Sequence, residues 1–583
     1  MFRTTNRFFQ ITSAALFVLS LTTLIFLFFA SQKGFDIGDE GFHLLAAQFP
    51  QEVQIWPNVA HIYTGLMFHL VGQNIIKLRI LSEFMLFSSS MLFFFGLMRL
   101  TSVIYPTIIH TSFKIIACAM ISLGALFYYI HFDTTPSYNT LNAILLNTAA
   151  GFLCFYLARQ WLFSIFITGL LIGIDFLIKF PTAISLTVLF TIVLIIWPQA
   201  NRHRKHLIQK ISLLLLGIVT WILLHSLFLQ PLATLWNTIF HGIQTLLTYG
   251  AHKPLYRLQY YTLEIIQLIT YSLINFWEIY LALLAGLLIT YWGGLYFIPL
   301  FFLAALHSFT LDFYKGGSIQ SISLVNIYTA WLLLFLFSVI MTLIQQNKLI
   351  IFKNSITAKR LLIISMLLLL LPFAGAVGTA NVITLNLTQY MAAWFGLMII
   401  LLSVLTYCYN NQWIFLSGTL TISLFAACQI ISAGFIAPYD LNKPIQYQTI
   451  PTAIGNPPTY LKLDIATHEF FNQLNQIAKG NGFKPGNDIF TFGTMPGAVF
   501  ALGGKSPVVP WYFATKEINE RLLLQASPQR LKNAFILQNA TSLMNMPNLA
   551  KFGIKFPENY ILCGQLTWPL TGEWVRLWKP KNL

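Results

Sequence analysis

Long apolar runs separated by short polar segments make up the first three quarters of the chain. Most runs have about 17–23 residues, the length that an α-helix needs to cross the hydrocarbon core of a bilayer. We predict about thirteen membrane spans. They lie at residues 11–30, 80–98, 114–130, 140–158, 161–178, 181–198, 211–229, 271–291, 294–310, 323–344, 361–379, 390–408 and 413–435.

The composition agrees with this pattern. Apolar residues make up 57% of the 583 positions and charged residues only 9%, whereas a soluble globular domain has about 25% charged residues. The mean hydropathy is +0.70. Continuous apolar runs favour helices over a barrel, whose strands alternate. The run Ile11–Ala30 is long enough to remain in the membrane as an uncleaved anchor.

The tail, from about residue 436 to 583, has only short apolar runs. Helical spacing predicts helices over 467–479 and 517–524. Alternating or short apolar segments around a Gly- and Pro-containing turn predict strands over 488–492 and 498–502. We therefore predict an α-helical polytopic membrane protein, residues 1–435, followed by a small α/β domain, residues 436–583.

Basic residues in the apolar part lie on one side of the predicted spans, in loops that contain no Asp or Glu. They are Arg3, Arg7, Arg99, Lys114, Arg159, Arg202, Arg204, Lys205, Lys210, Lys348, Lys353, Lys359 and Arg360. The positive-inside rule places this side in the cytoplasm. The N-terminus is then cytoplasmic in the inner (plasma) membrane, and the loops 31–79 and 230–270 and the tail lie outside. The basic run 202–206 indicates orientation rather than a nucleic-acid partner.

An acidic cluster directly follows the first predicted span, in a chain that is poor in acids. It contains Asp36, Asp39 and Glu40, and His43 follows. Carboxylates at a membrane surface are costly to desolvate, so three close together indicate chemistry or cation binding. The alternative is a solvated loop that keeps the helix end out of the lipid.

Three further motifs lie on the same predicted side. The loop after the acidic cluster contains Trp56-Pro57-Asn58 and an amphipathic stretch that leads to Gly72 and Arg79, typical of helices on the membrane surface. Asp133 lies in a polar loop before the fourth span, where helix capping by Thr135 or Ser137 is an equally good interpretation. Lys179-Phe180-Pro181 lies between two predicted spans.

In their order and spacing, these residues resemble the GT-C glycosyltransferases, and among them the family-39-like enzymes such as the lipid A aminoarabinose transferases and the protein O-mannosyltransferases. The resemblance covers about residues 30–185 and the span count. Phe42-His43 and Ile55-Trp56 stand where the aminoarabinose transferases have Arg-Tyr and a Lys before the proline. The resemblance implies a polyprenyl-phosphate-linked sugar as donor, a lipid, polysaccharide or protein acceptor, and transfer on the external face, with Mg²⁺ or Mn²⁺ as an optional cofactor.

Sugar transfer from a lipid phosphate needs a base and cations, and the chain offers candidates for both. Asp39 at the membrane surface suits the base, with Glu40 as an orienting group. The external cations suited to the donor phosphate are Arg79, Lys179, Lys253 and Arg257. Snorkelling to lipid headgroups is the alternative for each of them. Asp36, Asp133 and His43 are candidates for an acceptor or second acidic site.

Other functions remain open from the sequence. The scattered external histidines show no metal-ligand spacing, and hydrogen bonding is the simpler interpretation. A transporter or flippase of a lipid-linked sugar is the main alternative, although we find neither an internal repeat nor mid-membrane charges of the kind that transporters show. A further alternative is an assembly protein whose tail binds a partner, and in such a protein the acidic cluster would have no required role. Cys563 is the only cysteine of the tail, so no disulfide can form within it.

Overall fold

The structure is a computed structural model of the chain. It describes residues 7–104, 110–131, 134–198, 204–248, 254–277, 281, 323–345, 355–379, 381–436, 438–492, 494–512, 515–540 and 546–582. The predicted site residues Asp133 and Lys253 and the predicted span 294–310 lie outside these ranges, as does most of the predicted span 271–291.

The apolar part is entirely helical where the structure describes it. Its helices are α1 Arg7–Ala30, α2 Asp39–Gln48, α3 Ala60–Leu70, α4 Ile75–Ile104, α5 Thr111–Leu126, α6 Tyr138–Arg159, α7 Leu162–Ile178, α8 Phe180–Ile196, α9 Arg204–Phe228, α10 Leu232–Thr248, α11 Pro254–Asn275, α12 Ser323–Gln345, α13 Ser355–Ala376, α14 Ile383–Leu387, α15 Met391–Tyr409 and α16 Gln412–Ile436. Short 3₁₀ turns lie at Pro50–Glu52, Phe127–Ile130, Thr388–Tyr390 and Ile445–Tyr447.

Within the described ranges, eight helices are long and apolar enough to cross a membrane. Each of the eight corresponds to a predicted span. Three shorter apolar helices, α7, α8 and the middle of α12, lie at three further predicted spans. The chain is a multi-pass membrane protein, as the apolar runs predict. The helices α2, α3 and α10 belong to the loops that the sequence places outside the membrane, and α11 begins in the second of them and ends inside the predicted span 271–291.

Small residues let the membrane helices approach closely. A side chain on Gly96 of α4 would lie 2.3 Å from the carbonyl oxygen of Gly151 on α6. A side chain on Gly169 of α7 would lie 2.1 Å from the carbonyl oxygen of Leu214 on α9. Because lipid tails are as apolar as leucine, such close van der Waals packing is what holds membrane helices together.

The tail is an α/β domain, as predicted. Its strands are β1 Ile450–Ile454, β2 Thr459–Leu463, β3 Ile489–Thr491, β4 Phe535–Asn539, β5 Tyr560–Thr567 and β6 Trp574–Pro580, and its helices are α17 Ile465–Gly480, α18 Pro496–Ala501, α19 Lys516–Leu523 and α20 Pro528–Lys532. A short 3₁₀ turn lies at Leu549–Phe552. β1 and β2 form an antiparallel hairpin, and the larger sheet has the order β3-β4-β6-β5, with β3 and β4 parallel.

Three of the four elements predicted in the tail are confirmed, and one is wrong. The helices over 467–479 and 517–524 and the strand around 489–491 are present, but residues 498–502 belong to helix α18 and its C-terminal end rather than to a strand. Pro496 occupies the first turn of this helix, where its fixed φ favours helix and its missing N–H costs nothing. Residues 498–502 form a continuous apolar run because the helix is buried on every side: all of α18 is buried.

The tail shares its hydrophobic core with the first external loop. One cluster of buried side chains joins Phe35, Ile37 and Leu44 of that loop to Phe471 and Phe500 of the tail. The backbone N–H of Gly497 donates to the carbonyl oxygen of Ile37 at 2.8 Å. A side chain on Gly41 would lie 2.3 Å from the backbone of Gly497, so α2 and α18 touch backbone to backbone. The tail therefore covers the acidic loop directly.

Ion pairs tie the tail to the same loop. Arg530 of the tail donates to Glu52 at 2.6 Å and also pairs with Asp488, and Lys505 lies 3.8 Å from Glu52. These side chains are partly exposed, so each pair adds little stability by itself. Together they fix the register of the loop against the domain.

Candidate active site

The loop between α1 and α2 is organised by the buried carboxylate of Asp36. Its Oδ1 accepts the backbone N–H of Gly38 at 2.7 Å, and its Oδ2 accepts that of Glu40 at 3.0 Å. Burial and the neighbouring Asp39 carboxylate raise the pKa of Asp36 well above its ordinary value. Asp36 satisfies N–H groups at the start of α2 that have no partner within the helix. The geometry therefore favours a structural role over an acceptor site.

Glu40 and Arg79 form a buried ion pair, and the side chains of both are 3% exposed. Arg79 donates to Glu40 through Nε at 2.8 Å and Nη2 at 2.6 Å. Glu40 also accepts hydrogen bonds from the Thr135 hydroxyl and from the backbone N–H of Asp36. A bidentate arginine–carboxylate pair of this kind fixes two segments rigidly. Glu40 thus anchors α2 to α4.

The remaining donors of Arg79 are directed at backbone. Nη1 donates to the carbonyl oxygens of Ser31 at 2.7 Å and Lys33 at 3.3 Å, and Nη2 donates to that of Gly34 at 3.0 Å. With the two bonds to Glu40, all five N–H donors of the guanidinium are used. This conformation leaves Arg79 no donor for a phosphate, contrary to the role expected from its place in the sequence motif.

Asp39 differs from its acidic neighbours because it is half-buried and makes no ion pair in the described part of the chain. It begins α2, and its Oδ2 accepts a 2.6 Å hydrogen bond from the hydroxyl of Tyr439. Tyr439 and Asp440 lie in the segment that leads from α16 to the tail. Partial burial and Asp39 raise the pKa of Asp440. Asp39 thus lies where the first loop, the end of the last span and the tail meet.

One turn further along α2, His43 lines a small cavity. Phe42, Trp56, Asn58, His61 and Tyr138 also line it, and its volume is about 10 Å³, enough for one water molecule. Burial lowers the pKa of His43 to about 4, against the opposing effect of Asp39 and Glu40. Burial also lowers the pKa of His61 to about 3. Both imidazoles are therefore neutral at neutral pH.

Asp39 and His43 are four residues apart, so they lie on the same face of α2. The aromatic rings of Phe42 and Trp56 close the cavity beside them, with centroids 4.8 Å apart. The cavity is too small for a sugar ring, which could enter only if that pair moved apart. The arrangement combines a partly accessible carboxylate, a neutral imidazole and a hydroxyl from Tyr138.

Lys179 is buried between spans rather than presented to the surface. Its Nζ donates to the carbonyl oxygen of Gly375 at 3.0 Å and to the hydroxyl of Tyr390 at 3.2 Å. Tyr390 in turn donates to Asn142, which donates to Asp175 at 2.7 Å. This network joins α6, α7, α13 and the 3₁₀ turn Thr388–Tyr390 across the bundle. It gives Lys179 a packing role in this conformation, at the position expected to bind the donor phosphate.

Of the predicted phosphate-binding cations that the structure describes, Arg257 is the most exposed to solvent. It is half-buried on α11, with its guanidinium 5.4 Å from the ring of Tyr260. It interacts electrostatically with Tyr261, one helical turn away. Tyr138, at the cavity, lies within electrostatic range of both Tyr261 and Asp39. Arg257 and Tyr261 are thus neighbours on α11.

The sequence did not point to Tyr439, His61 or Tyr261 as site residues. Tyr439-Asp440 follows the last span as Asp39-Glu40 follows the first, and this symmetry is the signal that could have found the pair. Ser137 caps α6 by accepting the N–H groups of Asn139 and Thr140, which confirms one of the two capping alternatives. Thr135 instead donates to Glu40.

The described residues form no group of three or more His, Cys, Asp or Glu side chains that could hold a metal ion. The oxygens of Asp36 accept backbone N–H groups, and those of Glu40 face Arg79. The optional divalent cation that the resemblance implies therefore has no fitting set of ligands in the described part of the chain, and we derive no step through it.

Neither the protein-family models nor the curated proteins contain a match to this chain. Among solved structures, it is similar to the Archaeoglobus fulgidus oligosaccharyltransferase, which was crystallised with a tethered acceptor peptide that contains the NVT sequon. The TM-score is 0.44 at 11% identity, over 92% of this chain and 69% of the other. A likeness of this degree assigns neither a fold family nor an activity to the chain.

Proposed function

We propose that this protein is a membrane glycosyltransferase of GT-C type. It moves a sugar from a polyprenyl-phosphate-linked donor to an envelope acceptor, which is a glycolipid, a polysaccharide or a protein, on the external face of the membrane. The observation that carries the proposal is the position of Asp39. It is the one member of the acidic cluster that is both partly accessible and free of a structural ion pair among the described residues, beside a cavity at the membrane surface.

The proposed reaction is a single displacement with inversion. Asp39 takes the proton of the acceptor hydroxyl, and the resulting oxygen attacks the anomeric carbon of the donor sugar. The bond between that carbon and the phosphate oxygen breaks, and the lipid phosphate leaves with both bonding electrons. A carboxylate positioned by Tyr439 suits the base, since general-base catalysis depends first on geometry. Neutral His43, on the same face of α2, offers a hydrogen bond to sugar hydroxyls.

The leaving phosphate needs a cation, because negative charge builds up on it in the transition state. We propose Arg257 for this role because its side chain is half-buried rather than buried, together with Lys253, which comes just before α11 in the sequence. Arginine suits a phosphate because its planar fork donates to two oxygens at once.

The proposed sidedness follows from the basic loops. A reporter fused after residue 436 should be active only outside the cytoplasm, and one fused near Lys205 only inside. The opposite result for the tail would place Asp39 and the donor phosphate on the wrong side for this reaction.

The test compares cells with and without the gene by mass spectrometry of envelope glycolipids and glycoproteins. We expect the loss of one sugar from one class of acceptor and accumulation of the lipid-linked donor on the external face, where a membrane-impermeant oxidant reaches it. A flippase would instead leave the donor trapped on the cytoplasmic face. Unchanged envelope glycans would contradict both functions.

A further inference from the structure

A second and larger cavity lies next to the candidate active site. Its volume is about 510 Å³, within the range of about 300–1,000 Å³ that is typical of small-molecule sites. Its walls come from the loop around Gln51 and Gln54, from Gln230 and the first turns of α10, and from Gln525 of the tail. We call it the amide cleft. It is open to solvent and lies between the tail and a helix that the sequence places at the membrane surface.

Helix α10 has two distinct faces. Thr234, Asn237, Thr238 and His241 line the amide cleft at helical spacing. On another face Leu232, Trp236 and Phe240 are exposed, and the two aromatic rings stack with centroids 5.8 Å apart. An amphipathic helix with an exposed Trp and Phe lies in the interface of a bilayer. The cleft therefore opens just above the lipid, on the polar side of α10.

The chemistry of the lining identifies the kind of molecule that fits. Among the lining residues that the structure describes, none is Asp, Glu, Lys or Arg, and five are amides: Gln51, Gln54, Gln230, Asn237 and Gln525. An amide both donates and accepts hydrogen bonds, as a sugar hydroxyl does. Val53, Ile55, Ile62 and Leu229 add apolar surface, which suits the C–H faces of a sugar ring. The described lining offers no Lys or Arg to a phosphate or an acidic polymer.

The cleft and the active-site cavity share the same stretch of chain. Gln54 and Ile55 line the cleft, and the next residue, Trp56, lines the cavity that contains His43. The backbone N–H of Trp56 donates to the carbonyl oxygen of Thr238 at 3.3 Å. A side chain on Gly242 would lie 2.2 Å from the backbone of Trp56, so α10 is pressed against this segment. A chain-like molecule in the cleft could reach the cavity once Trp56 moves.

We propose that the amide cleft binds the uncharged carbohydrate part of the acceptor and presents its terminal hydroxyl to Asp39. The inference rests on the proposed glycosyl transfer and commits the acceptor to a neutral saccharide, whether free or attached to lipid or protein.

The test uses the full-length protein in nanodiscs. Membranes from cells that lack the gene serve as the acceptor and are added at graded dilution. Thr234→Trp fills the cleft, and the double variant Gln54→Leu/Asn237→Leu removes two amides. Gln244→Leu is the matched control, since Gln244 is exposed on α10 outside the cleft. The acceptor concentration for half-maximal transfer should rise at least about tenfold in both cleft variants, because the Trp side chain blocks the cleft and the two Leu side chains leave sugar hydroxyls unpaired. The control and the donor KM should not change.

A binding measurement separates this inference from the proposed function. Oligosaccharide released from the envelope of the deletion strain is divided by anion exchange into neutral and anionic fractions, and each is tested by saturation-transfer NMR. We expect the neutral fraction to bind to the wild type and not to Thr234→Trp. Binding of the anionic fraction alone, no binding at all, or equal transfer by wild type and cleft variants at every dilution would overturn the cleft. Failure of the wild type to transfer any sugar would instead overturn the proposed glycosyl transfer. The NMR result would still show whether the cleft binds a neutral saccharide.

Discussion

The hydroxyl of Tyr439 donates a 2.6 Å hydrogen bond to Asp39, although the two residues are 400 positions apart in the chain. Asp39 begins the first external helix, and Tyr439 lies between the last span and the tail. The orientation of the proposed base is therefore set by a segment outside the region, about residues 30–185, where the sequence resembles GT-C enzymes. The two ends of the membrane domain meet at this contact.

Tyr439→Phe removes this hydrogen bond and keeps the ring. We expect kcat to fall at least about tenfold, since a hydrogen bond to a charged group contributes roughly 1.5–3 kcal/mol. The donor KM should change little, because Tyr439 contacts the base rather than the proposed phosphate site. Steady-state kinetics of the purified protein measure both constants. Tyr447→Phe is the matched control, since Tyr447 is 56% exposed in the same segment. Equal kcat values for wild type and Tyr439→Phe would remove Tyr439 from the site.

Arg79→Met should reduce folding rather than donor binding. The change leaves Glu40 buried without its partner, and breaking a buried pair in this way costs about 3–5 kcal/mol. We expect a lower melting temperature and less accumulated protein, measured by size-exclusion fluorescence after heating in detergent. The donor KM of the protein that does fold should stay near the wild-type value.

The double variant Glu40→Met/Arg79→Met supplies the control. It removes both charges, so it should be more stable than Arg79→Met alone. If Arg79→Met were as stable as the wild type and its donor KM rose about tenfold, a loss of about 1.4 kcal/mol in binding, the phosphate role would be restored and the structural interpretation would fail.

Arg257→Met should raise the donor KM by at least about tenfold, because a cation on a phosphate in a partly dry site contributes more than an exposed pair. Arg257→Lys should recover only part of this, since an ammonium lacks the planar fork. The KM for the acceptor should not move. Arg521→Met, at an exposed arginine of the tail, controls for the loss of one positive charge. A normal donor KM in Arg257→Met would leave Lys253 as the remaining candidate.

The buried His61 makes stability depend on pH. Its ring nitrogens have no hydrogen-bond partner among the described residues, and burial lowers its pKa from 6.5 to about 3. The unfolded chain takes up a proton below about pH 6.5 while the folded chain does not, so stability falls as pH drops from 6.5 towards 3. At pH 5 this one group should cost about 2 kcal/mol.

Melting temperatures at pH 7.5 and pH 5 check this. The fall between the two should be smaller in His61→Leu than in the wild type. His69→Leu, at an exposed histidine of the same helix α3, should melt with the wild-type dependence. An unchanged pH dependence in His61→Leu would mean that His61 is solvated or paired.

The membrane helices and two helices of the tail could be predicted because their signals are local. A run such as Ile11–Ala30 has no stable alternative in a bilayer, and the spacing of Phe470, Phe471 and Leu474 fixes the face of α17. The strand predicted over 498–502 failed because long-range contacts decide that segment, where α18 packs against α2 through Gly497 and Gly41. Such contacts have no signature within a short window of sequence.

The candidate site was predictable in part. The acidic cluster was found from its rarity and its place after the first span. Which carboxylate stays accessible could not be read from the sequence, because it depends on partners far away: Arg79 and Thr135 for Glu40, and Tyr439 for Asp39. In the same way, the position of Lys179 suggested a surface cation, whereas in the structure it is buried against Gly375 of α13 and Tyr390 of the 3₁₀ turn before α15.

The most direct test of the central claim is the transfer activity of Asp39→Asn. The purified variant is compared with the wild type for release of lipid phosphate and formation of glycosylated acceptor, at matched protein levels. Because Asp39 makes no buried ion pair in the described structure, the variant should insert and accumulate normally. Glu469→Gln, at an exposed carboxylate of the tail, is the control for charge loss. Loss of a general base should lower kcat about 10²–10⁴-fold, and near-normal transfer by Asp39→Asn would contradict the account.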